Sequence, residues 1–314
     1  MNPRAQIRLL PDGRRLHMHD GPIDLIIEAF GALAEIQAAY RAAVARFNFV
    51  LDELCGELVF LRQPTRVNGL LPQGPIARRM AAAVTPYAVS TFITPMAAVA
   101  GAVAEEILRA MTRSADLSRA YVNDGGDIAL HLAPGEKFTI GMVERPDRPS
   151  LFGTTTIDAA TSIRGIATSG WRGRSFSLGI ADAVTVLAGT AAMADAAATI
   201  IANAIDLPGH PTIVRIPAKE LQPDTDLGDR LVTQSVGQLT PNEVHAALAA
   251  GIRVAESLRG QGLIHAAALN LQGETRLVEA PRGIHTNSTA ESVLGGAALQ
   301  RCDKLPILQG GFSR

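Results

Sequence analysis

The chain is 314 residues long with a formal net charge of -1, 29 Lys and Arg against 30 Asp and Glu, and 47% of its residues are hydrophobic. That balance leaves no surplus of cations to neutralise a nucleic-acid backbone or an anionic bilayer, so neither is expected as a main partner and small ligands come forward. The apolar fraction suffices for one large core. Lysine occurs only at Lys137, Lys219 and Lys304, and the other basic residues are arginines. This bias gives Schiff-base chemistry few candidates and anion clamping many. Cys55 and Cys302 lie far apart and match no metal spacing, which predicts structural thiols in a reducing compartment.

From the start of the chain, Pro11, Asp12 and Gly13 separate two short strands expected over 5–10 and 15–19. Asp12, Arg14 and Arg15 also interrupt any apolar run of signal length, which predicts a chain that is not secreted. After Gly21 and Pro22, apolar Ile23, Ile26, Ile27, Phe30, Leu33 and Ile36 recur at helical spacing and predict one helix, or two, from Ile23 to about Leu54. Pro64, Pro72, Gly74 and Pro75 punctuate a linker before a helix over about 76–84 that shows Arg78 and Arg79 to solvent and ends at Pro86. Thr94 as N-cap and Pro95 at the first helical position open the next helix, which runs to about Met111.

Strand character follows over 119–122, 128–132, 137–142, 153–157, 162–167 and 184–188, then a helix over about 192–205. A strand over 212–216, a helix over about 241–258 and a strand pair over 263–271 and 276–279 complete the pattern. Strands grouped in the middle with helices at intervals predict an α+β fold rather than a doubly wound sheet. The most apolar stretch, about 179–206, carries Asp182, Asp195 and Asp206, which rejects a transmembrane span and makes the expected location cytoplasmic. Residues 1–280 are expected to form one domain. Beyond it Gly, Ser, Thr and Asn rise, so 281–314 is expected to be a tail or an oligomer arm, with a homodimer as the expected assembly.

Chemistry concentrates in a few segments. In Ala194-Asp195-Ala196-Ala197-Ala198-Thr199, a helix puts the Asp195 carboxylate and the Thr199 hydroxyl one above the other among alanines. Two readings stand: Asp195 caps a buried helix and Thr199 bonds back to the preceding turn, or the two oxygens hold Mg2+, which keeps waters and borrows phosphate oxygens. Gly125 and Gly126 in Asn123-Asp124-Gly125-Gly126-Asp127 permit positive φ, which serves either a plain hairpin turn or close backbone approach to a ring or phosphate. Arg172 and Arg174 flank Gly173 and could clamp pyrophosphate or merely face solvent. Asp182 is the candidate catalytic residue, as a general base or second metal ligand, against a buried structural bond. His17 and His19 share one strand face, and an exposed polar face is the preferred reading over metal binding.

Three ordered segments resemble the ApbE flavin transferases. Tyr121-Val122-Asn123-Asp124-Gly125-Gly126-Asp127-Ile128 is similar to that family's strand and Asn-x-Gly-Gly-Asp element. Gly165-Ile166-Ala167-Thr168-Ser169-Gly170 is similar to its Thr-Ser-Gly segment, and Met193 to Thr199 to its Ala-Asp-Ala-x-x-Thr metal helix. The resemblance spans roughly residues 90–206. It implies a flavin nucleotide lying against Asn123, Gly125, Gly126 and Asp127, lined by Thr168, Ser169 and Gly170, with Asp195 and Thr199 as metal ligands. Gly101 stands at the family's helix glycine, but Ala100 replaces the lysine before it. The family's His-x-x-Asp-Pro element is replaced by Arg174 to Asp182, without histidine or proline. The chain therefore looks most like the uncharacterised branch that shares Gly-Ile-Ala-Thr-Ser-Gly and Gly-Ile-Ala-Asp. The resemblance implies an Mg2+-dependent enzyme that cleaves or transfers the phosphate group of FAD or a related nucleotide, with FAD or FMN as substrate or ligand. The alternative is a non-catalytic flavin or nucleotide carrier in a metabolic assembly.

Overall fold

Turn chemistry opens the chain. In the computed structural model, which describes residues 4–143, 151–278 and 298–300, β1 (Gln6–Leu9) and β2 (Leu16–Asp20) pair antiparallel across the Pro11-Asp12-Gly13 turn. The Asp12 carboxylate accepts the Arg14 and Arg15 amides at 3.0 Å each, which closes that turn locally. β3 (Ile23–Phe30) corrects the helix expected from Ile23. Gly21, at φ +58°, reverses the chain tightly, and β3 then pairs with β2 on one side. Ile23, Leu25 and Ile27 alternate inward while Asp24 and Ile26 point the other way, so the segment satisfies a strand period as well as a helical one. Ladder pairing on both edges decides between them.

The expected helix begins instead as α1 (Leu33–Gly56), which buries Ala39, Ala43, Phe47, Val50 and Leu54. After α2 (Leu58–Leu61), Pro75 starts α3 (Pro75–Val84), with its ring at the position where a missing amide costs nothing. The helix expected from Thr94 is split: Pro95–Ala98 is a 3-10 turn and α4 runs Val99–Ser114. Thr94 makes no cap bond, because its hydroxyl bonds Asp226.

The remaining strands and helices alternate in short connections. They are β4 (Arg119–Asp124), β5 (Asp127–Leu132), β6 (Lys137–Val143), β7 (Leu151–Asp158), β8 (Gly165–Ser169), β9 (Ala183–Ala188), α5 (Ala191–Ala204), β10 (Ile213–Pro217), α6 (Ala218–Leu221), β11 (Leu231–Val236), α7 (Pro241–Gly260), β12 (Ala266–Leu271), β13 (Glu274–Val278) and β14 (Ala298–Gln300). Of these, α6, β11 and β14 have no counterpart among the sequence expectations. The principal sheet has nine strands in the order β1-β2-β3-β4-β5-β8-β9-β12-β13, every neighbouring pair antiparallel. The α+β expectation is met. The expected tail, 281–314, lies outside the described residues except for β14, whose backbone pairs with β6.

Each face of the large sheet is covered by a different layer. One face packs against the helices around Leu25, Ile27, Phe47, Met80, Ile107, Val186 and Ile201. The other packs Phe30, Tyr121, Ile128, Leu130 and Ile166 under Phe138, Ile140 and Ile157 of the β6–β7 hairpin. α5 contributes seven buried alanines or isoleucines from Ala194 to Ala202, so its small side chains serve close packing inside this chain. Among the described residues no helix is long and apolar enough to cross a membrane.

The last long helix shows what local sequence can settle by itself. At α7, Thr240 accepts the Glu243 amide while the Glu243 carboxylate accepts the Thr240 amide at 2.7 Å, a reciprocal capping box with Pro241 at the first helical position. Thr240→Ala is expected to cost about 1 kcal/mol, read as a lower denaturation midpoint with an unchanged slope. A loss under about 0.3 kcal/mol would show that α7 is held by its packing alone.

Candidate functional site

Two helix starts meet at one end of the sheet and cap each other. The α4 and α5 backbones cross at Gly101, where a Cβ would stand 2.3 Å from the Ala191 carbonyl oxygen and 2.7 Å from the Ala192 nitrogen. At that distance the unsatisfied amides of each helix reach side chains on the other. Asp195 Oδ2 accepts the Gly101 amide at 3.1 Å, and Glu105 Oε1 accepts the Ala192 amide at 2.7 Å. The N-cap of α5 itself is Thr190, whose hydroxyl accepts the Met193 amide. Asp195 thus caps the neighbouring helix and not its own. A carboxylate offers about four lone-pair sites, so capping leaves capacity for a further ligand.

Thr199 lies one turn along α5 from Asp195, and both remain half-buried and reachable by solvent. Thr85 and Thr112 bond back to carbonyls of their preceding turns, at 2.7 and 3.1 Å. Thr199 has no such bond, and its hydroxyl has no hydrogen-bond partner among the described residues. The reading in which Thr199 closes on its own helix is therefore absent from the geometry.

The β4–β5 hairpin carries the second part of the site. Asp124 pairs with Asp127 across Gly125 and Gly126, at φ +63° and +119°, a two-residue turn that demands positive φ at both central positions. Asn123 Oδ1 accepts the Gly126 amide at 2.8 Å and fixes the turn. That amide is consequently committed within the hairpin. From the neighbouring strand, the Thr168 amide donates to Asp127 Oδ1 at 3.2 Å, joining the Gly-Gly turn to the Thr168-Ser169-Gly170 end of β8.

Three carboxylates now share one recess. Burial raises Asp195 and Asp127 above the usual carboxylate range; the charge of Asp195 pushes Asp127 further, and the Gly101 and Ala100 amides pull Asp195 back. Asp124, which is 5% exposed, is pushed up to about 8 by burial and then by Asp127. Asp124 is the residue that sequence reading missed: the available signal was a second acid beside the Gly-Gly pair. Among the described residues no three His, Cys, Asp or Glu side chains gather closely enough to cage a metal ion by themselves. The oxygen donors on α5 are the capping Asp195 carboxyl and, one helical turn along, the Thr199 hydroxyl, a set that could hold a hard cation only if water or another ligand supplied most of its shell.

The segment after Gly170 divides its candidates. Arg174 lies across Gly125: a Cβ on that glycine would meet its Nη2 at 2.1 Å. The same nitrogen is 4.0 Å from Asp124 Oδ1. Arg172 turns the other way, with Nε on Asp182 Oδ1 at 2.6 Å and its guanidinium 4.2 Å above the Trp171 ring. Asp182 is 3% exposed, and its second oxygen accepts the Gln272 amide at 2.6 Å. Gly170 presses onto the same residue, since a Cβ there would lie 2.4 Å from the Asp182 carbonyl oxygen. The structure thus brings Gly101, Asn123, Gly125, Gly126, Asp127, Thr168, Asp195 and Arg174 together, and commits Asp182 and Arg172 to each other, to the Gln272 amide and to Trp171. His17 is taken up by Asp24 at 2.5 Å and Arg8 at 3.1 Å on the exposed sheet face.

A UPF0280 protein of Methanopyrus kandleri is 38% identical over 128 residues, 41% of this chain and 48% of that protein. One from Methanothermobacter thermautotrophicus is 35% identical over 169 residues, 51% of this chain and 62% of that protein. A third, from Methanosphaerula palustris, is 37% identical over 188 residues, 55% of this chain and 72% of that protein. The chain spans about half the length of the first of these relatives and under two thirds of the second. The crystal structure of apo Pseudomonas stutzeri flavinyl transferase ApbE aligns over 91% of this chain and 93% of that one, at 11% identity and a TM-score of 0.37. A family model described as AbpE bacteria matches residues 7–277, and with it the whole recess from Gly101 to Thr199: the chain belongs to that ApbE-like family, in a branch without a characterised activity.

Proposed function

We propose that the recess binds a flavin nucleotide together with Mg2+ and acts on its phosphate groups, by hydrolysis or by transfer to an acceptor. The observation that carries this reading is the unbonded Thr199 hydroxyl one helical turn from the Asp195 carboxyl, on the helix whose Asp195 acts electrostatically on Asp127. Family membership and the ordered Asn123 to Asp127 and Thr168 to Gly170 segments support a flavin nucleotide as the ligand. Asp195 and Thr199 hold the cation. Asp127 and Thr168 fix the floor between the two strands, and Ser169 and Gly170 line its far side. Arg174 offers its guanidinium to phosphate. Bound Mg2+ would supply positive charge where it develops on pyrophosphate oxygens.

One observation favours a second reading, a nucleotide carrier without turnover. Asp182 has both carboxylate oxygens committed, to Arg172 and to the Gln272 amide, so it offers no free general base. Incubation with FAD and Mg2+, followed by chromatography for FMN and AMP, separates the two. Metal-dependent product that falls at least about a hundredfold in Asp195→Ala is the expected result for an enzyme. Metal-dependent FAD binding without product, weakened in the same variant, supports the carrier. No flavin binding in any condition overturns both.

A further inference from the structure

The three carboxyls of the recess need a counter-charge as they lose their protons with no cation bound, and the chain supplies one that is loosely held. Arg174 offsets both Asp124 and Asp127. It is 64% exposed, and its nearest approach to Asp124 is 4.0 Å, the outer limit of an ion pair and beyond a hydrogen bond. It reaches there only because Gly125 has no side chain, since a Cβ would overlap Nη2. The arm carrying it follows Gly173, which is exposed and closes a turn onto the Gly170 carbonyl at 3.1 Å. Arg172, two residues earlier, is by contrast locked on Asp182 and Trp171. The two arginines that sequence places symmetrically about Gly173 therefore differ in kind, one an anchor and one a movable charge.

We propose that Arg174 is the built-in counter-ion of this recess, that its charge beside Asp124 and Asp127 opposes a divalent cation binding at the neighbouring Asp195, and that it turns to the nucleotide phosphates once a cation is bound. The inference rests on the cation site proposed above and specifies which residue couples the cation to the anion. Its consequence is a pair of effects opposite in sign. Removing the guanidinium strengthens binding of the cation alone, because less positive charge opposes it, and weakens binding of the phosphate group, because its clamp is lost.

Calorimetric titration with Mn2+ alone, and with ADP in the presence of saturating Mn2+, reads both effects on the full chain. For Arg174→Gln, Mn2+ binding is expected to tighten about threefold, the scale of an exposed charge interaction. ADP binding is expected to weaken about tenfold, the scale of a charge-assisted hydrogen bond to phosphate. Arg174→Lys, which keeps the charge, should stay near wild type for Mn2+ and fall between the two for ADP. Unchanged or weaker Mn2+ binding in Arg174→Gln, with wild-type Mn2+ binding intact, overturns the counter-ion role alone. Absence of Mn2+ binding by the wild type overturns the cation site as well. Because the side chain is exposed, thermal midpoints are expected to agree among the three proteins.

Discussion

Gly165→Ala is expected to destabilise the protein by about 3 kcal/mol or more, the upper range for forcing an atom into a packed interior. A Cβ at this position would stand 2.0 Å from the Thr190 carbonyl carbon and 2.2 Å from the Ala191 nitrogen, both backbone atoms. No rotamer change relieves such an overlap. The start of α5 would have to lift off β8, and with it the residues that carry Asp195. Gly101→Ala poses the same problem from the other side, because its Cβ would meet the Ala191 carbonyl oxygen at 2.3 Å. The gain of about 1 kcal/mol from placing alanine in a helix is smaller than the strain. Gly101→Ala also separates the Gly101 amide from Asp195, so the metal binding proposed at Asp195 should fall beyond the stability loss. Gly189→Ala is the control: the nearest atom to its Cβ is 4.0 Å away, and a change within about 0.5 kcal/mol is expected. Urea midpoints measured at constant slope decide the matter. A Gly165→Ala loss below about 1 kcal/mol would show that α5 can move away from the sheet, and the recess would then lack the rigid wall argued for it.

These contacts explain which parts of the molecule were legible in the sequence. Strands between clear turn signals, such as β4, β5 and β9, come close to their expected bounds because alternation and turn residues are local properties. Ile23–Phe30 does not, since Ile23, Ile26, Ile27 and Phe30 fit a helical face while Ile23, Leu25 and Ile27 fit a strand face. Partners nearly a hundred residues away, in β4, settle the choice. β11 is short and pairs only with β10 outside the main sheet, so little burial pattern marks it.

At the site the same division holds. The i, i+4 spacing of Asp195 and Thr199 is readable, and the helix containing them was expected. The cap that Asp195 makes is not, because it joins α5 to an amide 94 positions earlier. The difference between Arg172 and Arg174 is equally hidden. It depends on Asp182 standing beneath one arginine and a glycine backbone beneath the other. Thr168 and Asp127, which the resemblance named as ligand-lining, meet across two strands through one hydrogen bond that the sequence does not show. The resemblance gave no warning that Asp124, the variable position within that motif, would be nearly as buried as the core.

Asp124 leads to the second large expected effect, a fall in stability as pH rises. Its carboxyl is pushed up to about 8 in the folded protein by burial and then by Asp127, with Arg174 and hydrogen bonding from the Asp24 backbone opposing the rise. In the unfolded chain it titrates near the ordinary value of 3.8. Between those two values the folded state holds a proton that the unfolded chain has released. Folding is therefore linked to proton binding, and stability declines as pH rises through the window and levels off above about 8. Below the unfolded pKa both states are protonated and the group contributes nothing. After allowance for relaxation of the recess, the loss assigned to Asp124 is on the order of 3 kcal/mol between pH 5 and pH 9. Asp124→Asn removes the charge and keeps the shape, so it should match the wild type near pH 4 and exceed its stability by that amount at pH 9. If the proposed cation site exists, Mg2+ added to the wild type at pH 9 should recover part of the same loss, because a cation at Asp195 and Thr199 would offset the shared negative field. Thermal or urea unfolding of both proteins across this range gives the comparison. Equal pH dependence in the wild type and Asp124→Asn would mean that water or Arg174 already neutralises the carboxylate, and the charge crowding argued for the recess would not exist.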